Sequence, residues 1–376
     1  MKNFEQEIFT SESGVKELLC MESSYTSLTE KDKYFKSVKV DTIEEFDAII
    51  EHCLTCKELA FRGVKEAKFR LQTSGQIAYK IKCERLLAQP TKKSYQDFLF
   101  SNLSLIKNNT RIRRILKEQE LPINDVLYFA LLQHYGYPSP LLDFSYNLQS
   151  ALFFMLDGLK MSEKNDTNND INNYCSLYII KYTDPEFGSI QNVNKFGAQR
   201  ADNMVEDALA KGYKVVGLSA QATNDFLELP YDTYKDIYYF GVQGSSLGTT
   251  KIDIPSLGFT ASYNINNPRI SAQAGMFIFI GNAFKSLEHS VNEQSGRQHI
   301  MVINVNKNLA PFIRDKYLKD IKRTVIYPKD KISRRIICSL RCTPHLYSMD
   351  FYNSGMSWSR YWQRKIKNAL HNKNKK

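Results

Sequence analysis

The chain has 376 residues, of which 43% are hydrophobic and 24% charged, a balance typical of a folded domain and not of a disordered or fibrous protein. It contains no run of eighteen apolar residues, and the N-terminal segment with Glu5 and Glu7 lacks the apolar centre of a secretory signal, so we expect a cytoplasmic protein without a membrane partner. The net charge is +11, and residues 321–376 alone hold fourteen Lys and Arg against two Asp.

The first predicted elements follow a polar N-terminal extension, residues 1–36, which shows no clear hydrophobic period. Alternating valines in SVKV then predict a short strand. Thr42 with Glu45 three residues later has the spacing of a capping box, which predicts that a helix begins there.

The segment LAFRG predicts a strand that delivers Arg62 immediately before Gly63. A planar guanidinium at a strand end can bind phosphate or carboxylate through two hydrogen bonds, and the glycine would let the backbone approach that ligand. The alternative is a surface arginine in an ordinary ion pair.

Residues 76–120 are helical in composition, and two apolar helices follow, one ending at Gly136 and one beginning near Asn147. The stretch QHYGYPSPLLDF joins them, and we expect it to be a loop. It would place His134 at the end of the first helix and Asp143 just before the second. The two side chains could form an acid/base or ligand-binding couple, or a structural tie that holds the loop.

Beyond residue 173 the hydrophobic period shortens towards two, and we predict strands at CSLYIIKY, KVVGLSA, DIYYFGV, MFIFIGN and IMVINVN. LAPFIRDKYLKDI predicts a helix, whereas RTVIYP and IICSLRC predict strands. Helices first and strands later indicate an α+β fold, with a helical N-terminal half packed on a mainly antiparallel sheet.

The segment NNPRISAQAGMFIFIG places Arg269 and Gln273 just ahead of an apolar strand. Small alanines on either side of Gln273 leave room for a ligand, which is typical of a binding wall. The alternative is an edge-strand glutamine that bonds to backbone.

Seven cysteines in a chain of this length favour reduced thiols over a disulfide framework. Cys53 and Cys56 could in principle join Cys338, Cys342 and His345 in a zinc site. The segments around these cysteines look like core elements, in which cysteine is a small hydrophobe, so we expect no metal.

The basic C-terminal segment suggests a nucleic-acid partner, because it combines cations with both tryptophans of the chain, Trp358 and Trp362. The candidate contacts are Arg334, Arg335, Arg360, Arg364, Lys365 and Lys367. The alternative is a C-terminal helix that docks its aromatic residues on the core and leaves its charges in solvent.

Three motifs occur in one order: FRG at 61–63, QHYG-P-x-x-LLDF at 133–144 and NPRISAQAGMF at 267–277. In that order they resemble the FRG domain family, over roughly residues 37–330, which leaves 331–376 as a basic C-terminal segment. The family pattern HYG-x-PTRLLDW differs here, because Ser139 replaces the threonine, Pro140 the arginine and Phe144 the tryptophan. A phosphate would therefore have to rest on Arg62 or Arg269.

The aromatic-Arg-Gly motif is also similar to the first motif of ADP-ribosyltransferases, so an ADP-ribosyltransferase-like fold is an option. That resemblance implies an enzyme acting on NAD by ADP-ribosyl transfer or hydrolysis, and a toxin or a phage-defence effector would suit such chemistry. Arg62, Gly63, Tyr135 and Arg269 would then bind the nucleotide, and the catalytic groups would be His134, Asp143 and Gln273. The alternative function is a non-catalytic module that binds nucleic acid through its basic C-terminal segment.

Overall fold

The computed structural model describes residues 23–56, 59–86, 92–118, 125–160, 170–181, 241–244, 249–254, 259–264, 273–296, 298–327, 331–356, 360–361 and 364. The α-helices of these segments, numbered α1 to α12, are Leu28–Asp32, Ile43–Thr55, Ser74–Leu86, Lys92–Lys107, Thr110–Glu118, Asp125–His134, Leu148–Leu156, Leu287–Ser295, Ala310–Tyr317, Arg323–Ile326, Lys331–Arg341 and Met349–Asn353. The strands, numbered β1 to β9, are Lys36–Val40, Leu59–Val64, Leu141–Ser145, Tyr174–Lys181, Gly241–Gly244, Thr249–Ile254, Phe259–Asn264, Gly275–Phe279 and Met301–Asn306.

Six of these strands form one open sheet in the order β1-β9-β4-β2-β3-β8. β1 runs parallel to β9, and every other neighbouring pair is antiparallel. A separate antiparallel sheet has the order β5-β6-β7. The predicted class, α+β with a helical N-terminal half and a mainly antiparallel sheet, is therefore confirmed.

Helices cover both faces of the six-stranded sheet. Tyr178 and Ile180 of β4 pack on one face with residues of α1 and α8. Leu177 and Ile179 pack on the other face with residues of α2, α7 and α9. Residues 174–180 of β4 are buried and only its last residue, Lys181, is exposed, because helices cover this strand on both faces.

A second layer consists of α3 to α6, which share a core of their own around Tyr95, Tyr128 and Leu132. α11 adds Ile336 and Leu340 to this core. The helical layer continues through α12, so the C-terminal part of the chain packs on the N-terminal half.

Two helix starts follow from side-chain caps. Thr42 accepts a hydrogen bond from the Glu45 backbone N–H, and the Glu45 carboxylate accepts one from the Thr42 backbone, so the predicted capping box is confirmed. Asn147 caps α7 by accepting from the backbone N–H of Ser150. These caps place α2 and α7 as the sequence predicts.

Lys31 is a buried cation that contacts β4 and β9 of the six-stranded sheet. The Lys31 ammonium donates to Ala67 O at 2.9 Å, to Ser176 Oγ at 2.7 Å and to Asn304 Oδ1 at 2.8 Å, and the residue has 0% exposure. Burial lowers the pKa of Lys31 to about 7, although the buried carboxylate of Glu288 acts in the opposite direction. The three acceptors match the three protons of an ammonium group.

The segment LLDFS is a strand, so the expected loop between the two apolar helices is wrong. β3 pairs along its whole length with β8, from Leu141 opposite Phe279 to Ser145 opposite Gly275. The paired residues lie 130 or more positions apart along the chain, and local signals cannot reveal such a pairing. Asp143 therefore lies within a strand and not at the start of α7.

Two further strand predictions are wrong. RTVIYP holds α10, and the first six residues of IICSLRC form the last part of α11. Ser333, Ile336 and Leu340 are buried at helical spacing along α11, a period that the short segment IICSLRC does not show. Cys338 and Cys342 are exposed there and are not core thiols.

Part of the predicted organisation lies outside the described residues: residues 1–22, KVVGLSA, most of DIYYFGV, and Trp358 with Trp362. Tyr25 and Leu28, within the predicted extension 1–36, are buried against the sheet. The boundaries 37–330 and 331–376 stay predictions. Among the described helices, none has the length and apolar character needed to cross a membrane.

Candidate functional site

The candidate site lies where two neighbouring strands separate. β2 and β3 share a single paired position, Phe61 opposite Ser145, although each has full-length partners on its other side. Arg62, the next residue of β2, reaches across the gap and donates from Nη1 to the backbone oxygen of Asp143 at 2.7 Å. The gap between the strands opens towards the C-terminal end of α6.

A cavity of about 280 Å³, here called the Arg62 cavity, occupies this gap. Its polar side chains come from β2, α6, β3 and the segment before β8, and are Arg62, Gln133, His134, Asp143, Ser145 and Gln273. Its apolar walls are aromatic and comprise Phe61, Phe144, Phe154, Phe277 and Tyr327. A site with aromatic walls and a few convergent polar groups is typical of small-molecule binding.

Asp143 is held in a defined orientation. Gln133 donates from Nε2 to Asp143 Oδ2 at 2.8 Å, and Ser74 in turn donates to Gln133 Oε1 at 3.0 Å. Arg62 Nη1 lies 4.0 Å from the same Oδ2. The other oxygen, Oδ1, is buried and has no hydrogen-bond partner among the described residues. A carboxylate with one oxygen held and the other without a donor is prepared to interact with a ligand.

Arg62 keeps 24% of its side chain exposed at the cavity. Burial lowers the pKa of Arg62, and the neighbouring Asp143 carboxylate opposes that shift. An arginine stays charged throughout the physiological range, so the cavity contains a permanent cation. Its buried Nε also has no hydrogen-bond partner among the described residues, which leaves one donor of the guanidinium for a ligand or for solvent.

His134 and Gln273 complete the polar wall. His134 is the last residue of α6, where the helix dipole favours a cation, and its ring meets Phe277 edge to face at 5.7 Å between centroids. Gln273 is 7% exposed and donates from Nε2 to Ile326 O at 3.1 Å. Its amide therefore bonds to backbone, as the alternative interpretation has it, although the residue also lines the cavity.

Gly63 has a packing role that the sequence did not predict. A Cβ atom at this position would lie 1.9 Å from Ala151 O and 2.6 Å from Met155 N, both in the backbone of α7. The glycine allows the backbone of α7 to pack closely against β2. The sequence had suggested instead that it allows a ligand to approach the backbone. Gly63 also contributes to the cavity wall.

Among the described nucleotide contacts, Tyr135 does not line the cavity. Tyr135 points towards α11, where its hydroxyl donates to Ser333 Oγ at 3.2 Å. Arg269 lies outside the described residues. The structure thus brings Arg62, Gly63, His134, Asp143 and Gln273 together on the wall of the Arg62 cavity, and their catalytic and nucleotide-binding roles stay predictions.

Sequence reasoning missed Gln133, Phe154 and Tyr327. Gln133 stands directly before His134 in the motif QHYG-P-x-x-LLDF, so this position in the motif could have indicated it as a site residue. Phe154 faces Tyr327 at 6.0 Å between ring centroids, a contact between α7 and the end of α10. No local pattern indicates such a contact.

The predicted nucleic-acid residues are distributed along the C-terminal part. Arg334, Arg360 and Arg364 are exposed. Arg335 forms an ion pair with Glu118 of α5 at 2.7 Å. Lys365 and Lys367 lie outside the described residues.

The neighbouring helix α5 adds cations that were not predicted. α5 and α11 pack together, and their exposed cations form what we call the basic face: Arg111, Arg113, Arg114, Lys117, Lys331 and Arg334. Arg335 of α11, which is not part of this face, forms the ion pair with Glu118. The basic charge is therefore broader than the C-terminal segment alone.

Metal ligation has no support in the described part of the chain, where no group of three or more His, Cys, Asp or Glu side chains could hold an ion. Cys53 of α2 is buried in the core, whereas Cys338 and Cys342 are exposed near the end of α11.

Comparison with protein families matches the FRG domain model to residues 57–165. The matched range contains Arg62, Gly63, Gln133, His134 and Asp143, so the chain carries an FRG domain that supplies most of the polar wall of the Arg62 cavity. Comparisons with curated proteins and with solved structures find no match.

Proposed function

We propose that the FRG domain binds a nucleotide in the Arg62 cavity and acts on its N-glycosidic bond, with NAD as the substrate. The observation that carries this proposal is the Asp143 carboxylate, which Gln133 orients on an aromatic wall beside the cationic Arg62. A ring, a phosphate and a ribose each find a suitable chemical partner in such a cavity.

The aromatic walls can stack the nicotinamide ring, and Arg62 can bind a phosphate oxygen. In the reaction, the bond between ribose C1′ and the nicotinamide nitrogen breaks, and the bonding pair leaves with the neutral nicotinamide. The Asp143 carboxylate stabilises the positive charge that develops at C1′. A water or acceptor hydroxyl then bonds to C1′ and gives its proton to His134, which yields ADP-ribose or an ADP-ribosylated acceptor.

The size of the cavity limits how the substrate sits. Its volume of about 280 Å³ is near the lower end of small-molecule sites, which begin at about 300 Å³. The nicotinamide riboside half would fill the cavity, and the remaining phosphate and adenosine would extend past the exposed part of Arg62. Gln273 would contact the ribose only after its amide leaves Ile326 O.

The test is NAD consumption by the purified protein, alone and with RNA or DNA added as acceptor. We expect Asp143→Asn to lower turnover by about 10²–10³-fold, because the amide is similar in shape and has no charge. Arg62→Lys and His134→Ala should also lower turnover, whereas Lys319→Ala, a change at an exposed lysine of another surface, should not. Arg62→Lys keeps the charge that Arg62→Ala would remove, so the fold is less affected.

No consumption of NAD under any of these conditions would overturn the proposal. Full turnover by Asp143→Asn would overturn the assignment of that carboxylate. Thermal unfolding of each variant separates lost chemistry from lost structure.

The second candidate function is binding of nucleic acid by the basic face. The observation that favours it is the side-by-side packing of α5 and α11, each with exposed cations. Binding to phosphates should weaken steeply with salt, and replacing Arg111 and Arg114 by alanine should reduce the salt slope by about two. Deleting residues 358–376 tests the contribution of the C-terminal segment. Affinity that does not change with salt would contradict this candidate.

A further inference from the structure

A second cavity, here called the helical cavity, lies between α3, α4 and the segment that follows α11. Its volume is about 610 Å³, roughly twice that of the Arg62 cavity. It shares no residue with the Arg62 cavity. Its wall includes Lys82, Arg85, Asn102, His345, Tyr347 and Phe351.

One buried amide on its wall has an unsatisfied donor group. Asn102 is 6% exposed, and its buried Nδ2 has no hydrogen-bond partner among the described residues. A buried polar group without a partner is destabilising, so an acceptor from a ligand would be favoured at this point. Solvent could also supply an acceptor, and the choice of ligand therefore rests on the rest of the wall.

Aromatic rings form the second feature of the cavity. Tyr347 and Phe351 lie 4.8 Å apart between ring centroids at an angle of 36°, and Phe98 meets Tyr352 edge to face at 6.2 Å. Neither Tyr347 nor Phe351 is fully buried. Such rings offer faces on which a planar base can stack.

Cations form the third feature. Lys82 Nζ lies 5.1 Å from the centre of the Phe98 ring, and the Arg85 guanidinium lies 5.0 Å from the centre of the Phe351 ring. Both residues are exposed at the rim, as is His345. An anionic group on the ligand would therefore meet positive charge wherever it left the cavity.

The helical cavity is connected to the basic face along the chain. α11 carries Lys331 and Arg334, and residues 342–347 continue from its end directly into the cavity wall. Within that connection His345 has a positive φ of 61°, a conformation that side chains other than glycine rarely adopt and that often marks functional sites. A phosphate backbone on the basic face would thus bring its bases to the aromatic wall.

We infer that the helical cavity binds an unpaired base of a single-stranded nucleic acid whose phosphates lie on the basic face. The inference rests on the second candidate function and adds a base-binding site to it. The base stacks on the ring of Tyr347, which Phe351 supports from its other side, an acceptor on the base edge takes a hydrogen bond from Asn102 Nδ2, and Lys82 and Arg85 meet the adjoining phosphates.

The test is fluorescence anisotropy of a labelled 12-nucleotide single-stranded RNA with the full chain, across a salt series. We expect Tyr347→Ala to weaken binding by roughly tenfold without changing the salt slope, because stacking releases no counterions. Lys82→Ala should weaken binding and reduce the slope by about one, whereas its matched control Lys319→Ala should change neither. Asn102→Leu should weaken binding several-fold while leaving thermal stability unchanged or higher, since it removes an unpartnered amide.

Further arms separate the sources of the base and the two proposals. If duplex RNA binds as tightly as the single strand and Tyr347→Ala does not change either affinity, the base site is overturned. Binding by the basic face would still be supported. AMP that binds with the same dependence on Tyr347 while the RNA does not would overturn the single-strand ligand in favour of a free nucleotide. If single-stranded RNA, duplex RNA and AMP all fail to bind, both the base site and the second candidate function are overturned.

Discussion

Replacing Gly63 by alanine tests whether the glycine of the FRG motif serves packing or ligand approach. The added Cβ would lie 1.9 Å from Ala151 O, 2.6 Å from Met155 N and 2.8 Å from Met155 Cβ, all well inside ordinary contact, which begins at 3.4 Å. Ala151 O and Met155 N are the acceptor and donor positions of one α-helical hydrogen bond. A backbone cannot rotate away as a side chain can, so α7 and β2 must move apart.

Overpacking of a core costs about 1–3 kcal/mol, and a backbone clash of this size lies at the upper end. We therefore expect Gly63→Ala to lower the free energy of unfolding by about 3 kcal/mol, measured by urea denaturation. Gly296→Ala is the matched control, because that glycine has a φ of 69° and nothing within 4 Å of a Cβ. Its cost should be limited to the left-handed backbone, about 1 kcal/mol.

Equal decreases in the free energy of unfolding for Gly63→Ala and Gly296→Ala would refute the packing explanation. A Gly63→Ala protein with unchanged stability and weakened nucleotide binding would instead support the ligand-approach role that the sequence suggested.

Three more predictions concern stability. Thr42→Ala removes the capping box of α2 and should lower the free energy of unfolding by about 1 kcal/mol, with no change in RNA binding. Lys31 has a pKa of about 7 in the folded state, so between pH 7 and 9 the unfolded chain holds a proton that the folded chain loses. The free energy of unfolding of the wild type, relative to that of Lys31→Met, should therefore rise by about 2 kcal/mol over this range. A difference that does not change with pH would contradict this prediction. Gln133→Glu puts a second carboxyl at the 2.8 Å contact with Asp143 Oδ2, which raises the pKa of the pair, so its stability relative to wild type should fall as pH rises from 4 to 8. A loss of equal size at both pH values would show that the carboxyls do not interact.

The sequence predicted those elements whose signals are local. The capping box at Thr42, the Asn147 start of α7 and the apolar run of β4 all depend on neighbouring residues. A cap is satisfied within one helical turn, and a strand buried on both faces needs only an apolar run.

The errors have non-local causes. LLDFS follows two prolines and has turn residues before it, which favours a loop, yet pairing with β8 makes it a strand. RTVIYP contains β-branched residues that favour a strand. It forms one helical turn, and Tyr327 at its end packs against Phe153 and Phe154 of α7, a contact that no local pattern predicts.

The candidate site shows the same division. Arg62, His134 and Asp143 come from two motifs that the sequence places 70 or more residues apart, and the family pattern was the reason to join them. Their hydrogen bonds could not be predicted, since the contact from Gln133 to Asp143 requires the C-terminal end of α6 to lie beside a strand that was expected to be a loop. The helical cavity was not predicted either, because its wall combines α3 and α4 with residues some 250 positions later.

The three residues of the FRG motif have different physical roles, and together these explain why a cavity forms at this point of the sheet. Phe61 makes the single paired contact with β3, Gly63 brings α7 against β2, and Arg62 bridges the gap that remains to Asp143 O. Because one arginine both closes the gap and supplies the cation of the cavity, an anion bound there would compete with a bond that holds β2 to β3. We therefore expect ligand binding and the strand junction to be coupled through Arg62. A nucleotide that binds should change the hydrogen-exchange rates of backbone amides in β3 more than those in β4, whose ladder with β2 is complete.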